Sequence, residues 1–233
     1  MANIFITGIS TDVGKTLVSA IFIKALKADY WKPIQSGNLD FTDAHTVAHL
    51  IGDQNTTVFP HAYALNAPMS PHAAADLENK KIKIHDIIRP KTQNHLVIEG
   101  AGGLLVPLNK KHTIIDLINK DDVVILVSRN YLGSINHTLL SIEALKGRGF
   151  SKIALVFNGK ENKSTEEIIC EKGQLPSLGR VDQYKSIDAK IIGNLFGLKI
   201  GVNKNVNIAY DGRISSETLK NNLIEGLLEV GTN

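Results

Sequence analysis

Gly8-Ile9-Ser10-Thr11-Asp12-Val13-Gly14-Lys15-Thr16 stands between an apolar run, Ile4-Phe5-Ile6, and an apolar-periodic segment from Leu17 to Leu26. Strand, glycine-bearing loop and helix in that order are what a phosphate-binding P-loop requires. The loop N–H groups and the positive end of the helix face phosphate oxygens. Lys15 then reaches the outer phosphates, and the Thr16 hydroxyl sits on Mg²⁺. The spacing departs from the usual Gly-x4-Gly-Lys: residue 9 is Ile, and Gly8 lies one residue further back. Gly-Lys-Thr alone is a common triplet, and a plain turn capped by Thr11 or Asp12 is the simpler alternative. Placement between a strand and a helix favours the phosphate site.

Beyond the loop, short apolar runs alternate with helical patterns, the signature of a parallel sheet covered on both faces. Strands are expected at Asn3–Thr7, Tyr30–Pro33, His95–Glu99, Val123–Val127, Ile153–Phe157 and Ser177–Val181. Helices are expected at Lys15–Lys27, from Asp43 to before Gly52, and at His72–Glu78, Lys83–Ile88, Thr113–Asn119, Ser134–Lys146 and Thr165–Glu171. Ala189–Phe196 and Ser216–Leu228 also read as helices. Ile34–Gly37 reads as a loop, Gly100–Gly103 as a turn, and Gln54–Lys81 as mostly irregular because Pro60, Pro68 and Pro71 break any pattern. The expectation is one α/β domain over residues 1–233: a mostly parallel sheet with helices on both faces, of P-loop NTPase type.

Composition narrows the class. The 233 residues are 43% hydrophobic and 21% charged, ordinary for a globular protein with a full core. A net charge of +3 with scattered lysines gives no footprint for nucleic acid. Cys170 is the single cysteine, which excludes an internal disulfide and a thiolate zinc site. There is no basic leader, and the longest apolar run, Val123–Val127, is too short to span a bilayer. The expectation is a cytoplasmic protein without a membrane partner.

Ligands of open parallel sheets bind beyond the carboxyl ends of the strands. Those ends carry the P-loop, then Lys32 with Gln35 and Ser36, then Glu99, then Asn158. Glu99 closes four apolar residues as the acid of a Walker B strand does, holding Mg²⁺ directly or through water. A solvated strand terminus is the alternative, and coupling to the P-loop favours the metal. Gly100, Ala101, Gly102 and Gly103 let backbone approach phosphate closely. Asp43 reads equally as a helix cap, with Asp40 and Asp12 competing for any second-carboxylate role. Lys32 reads as a surface lysine or as a second cation for a transferring phosphoryl group. His45 and His49 lack the Glu of a metalloprotease motif, and His72 and His137 read as hydrogen-bonded structural residues.

Taken together, six blocks resemble the dethiobiotin synthetase family. They are Gly-x5-Gly-Lys-Thr from Gly8, Trp31-Lys32-Pro33-Ile34-Gln35-Ser36-Gly37, Asp43-Ala44, Ala67-Pro68-Met69-Ser70-Pro71-His72, Val97-Ile98-Glu99-Gly100-Ala101-Gly102-Gly103 and Leu132-Gly133-Ser134-Ile135-Asn136-His137. The resemblance implies an ATP- and Mg²⁺-dependent ligase of biotin synthesis. Its substrates are 7,8-diaminononanoate and CO₂ or bicarbonate, and a cyclic urea is closed through a carbamate and a carbamic–phosphoric anhydride.

Carried over by position, the resemblance makes Lys32, Lys15, Thr11 and Ser36 the catalytic set. Asp12, Val13, Gly14, Lys15, Thr16, Leu17, Asp43, Glu99, Gly100, Ala101, Gly102 and Asn158 form the nucleotide site, with Asn158 reading the adenine edge. Thr16, Asp43 and Glu99 hold Mg²⁺. The family is homodimeric, and Gly133, Ser134, Ile135 and Asn136 of a second copy, with Ser36, would bind substrate. A helix N-terminus independently suits the substrate carboxylate. Arg180-Val181-Asp182-Gln183 lacks the proline that the family commonly carries near adenine, and no block matches the tail from about Leu198.

Two rivals are weaker. A corrinoid amidating enzyme needs a glutaminase domain for which the chain has no room. A nucleotide-switch ATPase with a deviant Walker A loop carries an extra lysine where this chain has Ser10, and has no evident use for Lys32-Pro33 or Ser70-Pro71-His72.

Overall fold

The computed structural model describes residues 1–52 and 55–182, which fall within one compact unit, Met1–Gln183. In chain order the elements are β1 (Asn3–Gly8), α1 (Lys15–Leu26), β2 (Asp29–Trp31), β3 (Ile34–Ser36), α2 (Asp43–Ile51), β4 (Val58–Phe59) and β5 (Tyr63–Leu65). There follow α3 (Pro71–Leu77), β6 (Leu96–Gly103), β7 (Val123–Arg129), α4 (Ser134–Gly147), β8 (Ile153–Asn158), α5 (Lys163–Gly173) and β9 (Ser177–Val181).

Seven strands form one sheet in the order β4-β2-β6-β1-β7-β8-β9, and every neighbouring pair is parallel. Parallel neighbours need crossovers, and the helices that supply them cover both faces. The period of two along β1 shows this directly. Ile4 and Ile6 pack with Val18 and Ile23 of α1 and Val47 and Ile51 of α2. Phe5 points the other way, into a cluster with Ala74 and Ala75 of α3 and Leu145 of α4. Leu126, Leu155 and Phe157 meet Ile142 of α4 and Ile169 of α5. The central strands β6, β1, β7 and β8 are therefore buried on both sides, which is why their runs read as continuously apolar.

Several expectations are corrected. Ile34–Ser36 is not a loop but a short strand paired in parallel with β5. The stretch from residue 55 up to the helix expected at His72–Glu78, expected to be irregular, contains β4 and β5, the former extending the main sheet by two residues; the helix itself is α3. Gly100–Gly103 is not a turn; β6 continues through it, with Gly103 opposite Gly8 after a register shift. Glycine fits best there, because a Cβ at Gly100 would lie 3.1 Å from the Phe5 ring and crowd it. The helices expected at 83–88 and 113–119 are single 3₁₀ turns, Ile84–Asp86 and Ile114–Leu117. In the second turn Asp116 accepts from the Thr113 N–H at 2.7 Å, and Ile118 is already extended. The helices expected at 189–196 and 216–228, and with them one domain over all 233 residues, lie outside the described residues. Among the described residues no helix is long and apolar enough to cross a membrane.

Candidate functional site

The loop between β1 and α1 is shaped by its backbone and by two side chains behind it. Gly14 has φ +96° and Asp12 φ +57°, so the chain curls into α1 through left-handed positions. A Cβ at Gly14 would overlap the Asn158 amide. Asn158 Nδ2 donates to the Val13 carbonyl at 2.8 Å, and Arg129 Nη1 donates to the Asp12 carbonyl at 3.1 Å. Two neighbouring strand ends thus hold consecutive loop carbonyls. No side chain caps α1 and its first turn carries no acid, which leaves its leading amides to an anion. Val13 and Leu17 put their side chains into the core, so they can serve phosphate only through backbone.

Four elements bring their polar ends to the loop. Thr16, in the first turn of α1, donates to Glu99 Oε1 at 2.9 Å and lies 3.1 Å from Asp43 Oδ1. Asp43 opens α2, whose start is fixed by a reciprocal cap between Thr42 and His45. Glu99 lies within β6 and is 1% exposed. Lys32, just past β2, donates to Glu99 Oε1 at 3.1 Å and also to Asp43 Oδ2. Lys15 donates to the Ser10 carbonyl at 3.0 Å. Behind them, the buried Tyr30 donates its hydroxyl to Glu99 Oε2 at 2.9 Å.

Burial and charge act against each other here. Burial lowers the Lys15 ammonium, and the nearby Glu99 offsets only part of that, leaving it at about 8. Burial also works against Lys32, but Glu99 and Asp43 outweigh it and raise its pKa. Burial pushes the Asp43 carboxyl up, yet Lys32 outweighs it and holds the group below its ordinary value. The Tyr30 phenol is raised well above its ordinary value by burial and by Glu99. At neutral pH the center therefore holds two cations, an ionised Asp43 and a neutral phenol.

Lys15, Thr16, Lys32, Asp43 and Glu99 line a cleft of about 740 Å³, with Tyr30 behind them. Thr11, Gln35, Ser36, Ala101 and Gly102 line it too, and Pro68–Pro71 with Phe41 and Val106 give it an apolar wall. The Ser36 hydroxyl and Gln35 Oε1 are buried without a partner. Gly37, at φ +75°, lets that strand end pass over Pro68, where a Cβ would come within 2.7 Å.

The donor set suits Mg²⁺ bound with a nucleotide. Among the described residues no three His, Cys, Asp or Glu side chains gather as a metal cage. Two carboxylates and a hydroxyl are a partial set of hard oxygens, which phosphate and water complete in the octahedral sites Mg²⁺ prefers.

The structure thus brings together Thr11, Asp12, Gly14, Lys15, Thr16, Lys32, Ser36, Asp43, Glu99, Ala101 and Gly102 around one cleft. Gly100 lies in β6 beside Glu99, and Asn158 supports the loop from behind. Gly133–Asn136 are not among the residues lining it. They open α4 with Gly133 at φ +99°, no side-chain cap, and a buried Ser134 hydroxyl without a partner, beside the fully exposed Leu132. His137 bonds the Tyr131 hydroxyl at 2.7 Å as expected, whereas His72 Nδ1 is buried without a partner. Tyr30 and Arg129 were not legible: one lies in a three-residue strand and the other ends an apolar one, and only the register of neighbouring strands shows what each reaches.

A family model described as an AAA domain matches residues 2–190. An ATP-dependent dethiobiotin synthetase BioD from Christiangramia forsetii is 56% identical over 188 residues, 81% of this chain and 91% of that relative. One from Cytophaga hutchinsonii is 48% identical over 194 residues, 82% of this chain and 94% of that relative. Among solved structures, the MinD cell division protein of Aquifex aeolicus is similar at a TM-score of 0.48 and 12% identity, covering 79% of this chain and 83% of that one.

Proposed function

Because this chain belongs to the ATP-dependent dethiobiotin synthetase family, we propose that it closes a cyclic urea on 7,8-diaminononanoate, using CO₂ and ATP. One amine of the substrate adds to CO₂ and loses a proton, giving a carbamate. A carbamate oxygen attacks the γ-phosphorus; ADP leaves and a carbamic–phosphoric anhydride forms. The second amine attacks the carbamoyl carbon, phosphate leaves with the bonding pair, and the amine proton is released. Two anions must meet in the second step, so the enzyme has to concentrate positive charge where they touch.

One observation carries the reading: Lys15 and Lys32, both almost fully buried, converge with Asp43, Glu99 and Thr16 in one cleft. Lys15 and the leading amides of α1 take the β- and γ-phosphate oxygens. Lys32 faces the carbamate and the transferring phosphoryl group. Thr16, Asp43 and Glu99 hold Mg²⁺, which when bound offsets triphosphate charge. Thr11 and the unpartnered Ser36 hydroxyl orient the diamine, and Asn158 keeps Oδ1 for the adenine amino group. We assign Gly133–Asn136 to the substrate carboxylate of a second copy in a homodimer; the uncapped start of α4 and the exposed Leu132 support this.

The test is phosphate release by purified protein with ATP, Mg²⁺ and bicarbonate. Release is expected only when the diamine is added. Equal release without it would overturn the assignment.

A further inference from the structure

Glu99 presents its two carboxylate oxygens to different neighbours. Oε1 faces Thr16 at 2.9 Å and Lys32 at 3.1 Å, on the cleft side. Oε2 faces away and accepts from the Tyr30 hydroxyl at 2.9 Å. Tyr30 is fully buried in β2, beside β6, with Val97 opposite it in the parallel register. Its ring fills space among Ile4, Val97 and Ile51, which a phenylalanine would fill as well. The hydroxyl is therefore not explained by packing. A buried phenol needs a partner, and so does a buried carboxylate oxygen; each supplies the other's.

The terminal torsion of a glutamate is broad and nearly two-fold. Without a donor on its far side, Glu99 would be held only at Oε1, by Thr16 and Lys32, and Oε2 could swing toward the cleft. We propose that Tyr30 is a positioning residue: its hydroxyl holds Glu99 Oε2, so that Oε1 alone is offered to the Mg²⁺ of the bound nucleotide. This rests on Glu99 being a metal ligand, and the two claims fail separately. Outer hydrogen-bond partners of metal ligands are commonly worth about 10–100-fold in metal affinity.

The test is an equilibrium Mn²⁺ titration followed by electron paramagnetic resonance, with a non-hydrolysable ATP analogue present and no turnover. Tyr30→Phe is expected to weaken Mn²⁺ about tenfold, toward the lower end of that range. Glu99→Gln should weaken it at least as much, and the double variant no more than Glu99→Gln alone. If Glu99→Gln shifts the titration and Tyr30→Phe does not, the positioning role is overturned. If neither shifts it, Glu99 is no ligand and the role falls with that assignment. Effects of the two variants that add fully would also overturn it, because Tyr30 would then not act through Glu99. Should Tyr30→Phe fail to fold, fluorotyrosine at position 30 keeps the shape and strengthens the O–H donor. A changed Mn²⁺ affinity is then expected, and an unchanged one overturns the role.

Discussion

Lys15 donates to the Ser10 carbonyl from a place so enclosed that burial pulls its pKa down to about 8. In the unfolded chain the same amine titrates near 10.5. Below about 8 it is charged in both states, and the cost of burying that charge falls entirely on the folded protein. Between about 8 and 10.5 the folded state gives up its proton first, so this group's contribution to stability rises with pH. Triphosphate supplies the counter-charge that the free site lacks. Nucleotide binding near pH 9 should therefore take up as much as about one proton, seen as a calorimetric enthalpy that varies with the buffer's ionisation enthalpy. Identical enthalpies in all buffers would contradict this. Lys32 is the cation that Glu99 and Asp43 share, so its removal leaves buried carboxylates uncompensated and should lower stability as well as activity. Lys32→Ala is expected to lower kcat by about 10²–10³, the usual worth of a donor to developing charge; near-normal turnover would remove it from the mechanism. Lys15 was readable because it sits in a glycine-bearing loop between strand and helix, and Glu99 because an acid follows an apolar run, although β6 continues past it. Tyr30 was not, because a lone hydroxyl in the three-residue strand Asp29-Tyr30-Trp31 carries no periodic signal.

At the scale of elements, the position of Asp43 depends on how α2 begins. Thr42 Oγ1 accepts from the His45 N–H, and His45 Nδ1 accepts from the Thr42 N–H at 3.0 Å. Thr42→Ala should cost about 1 kcal/mol of stability by urea denaturation. It should also raise the Mg²⁺ concentration needed for turnover, since Asp43 is the next residue; a loss of stability with no such change would separate the cap from the metal. Long helices and central strands were legible, because Ile4, Phe5 and Ile6, or Val124–Val127, leave little choice of structure. β3, β4 and β5 were not: they are three, two and three residues long, and prolines near them mask the pattern. The run Gly100–Gly103 misled for a different reason. Glycines usually signal a turn, but here their missing side chains let β6 extend between Phe5 and the P-loop.

At the scale of the molecule, the cleft supplies charge for phosphate but no described cation for the far carboxylate of the proposed substrate. The exposed Tyr131, Leu132 and Ile135 around the start of α4 would give the proposed second copy apolar surface to bury. Leu132→Glu is expected to turn a dimer into a monomer in analytical ultracentrifugation. It should keep nucleotide binding and lose most turnover with the diamine. A variant that stays dimeric, or a monomer with full turnover, would count against the shared site.

The extension of β6 past Glu99 has a mechanical corollary. Trp31 pairs with Ile98 just before the carboxylate, Ile6 pairs with Glu99 itself, and Gly8 pairs with Gly103 four residues on, so Glu99 is clamped like the fixed jaw of a vice. Asp43 rides instead on the first residue of a nine-residue helix at the end of a turn. If a magnesium nucleotide enters here as proposed, any give it needs is expected from that opposite jaw.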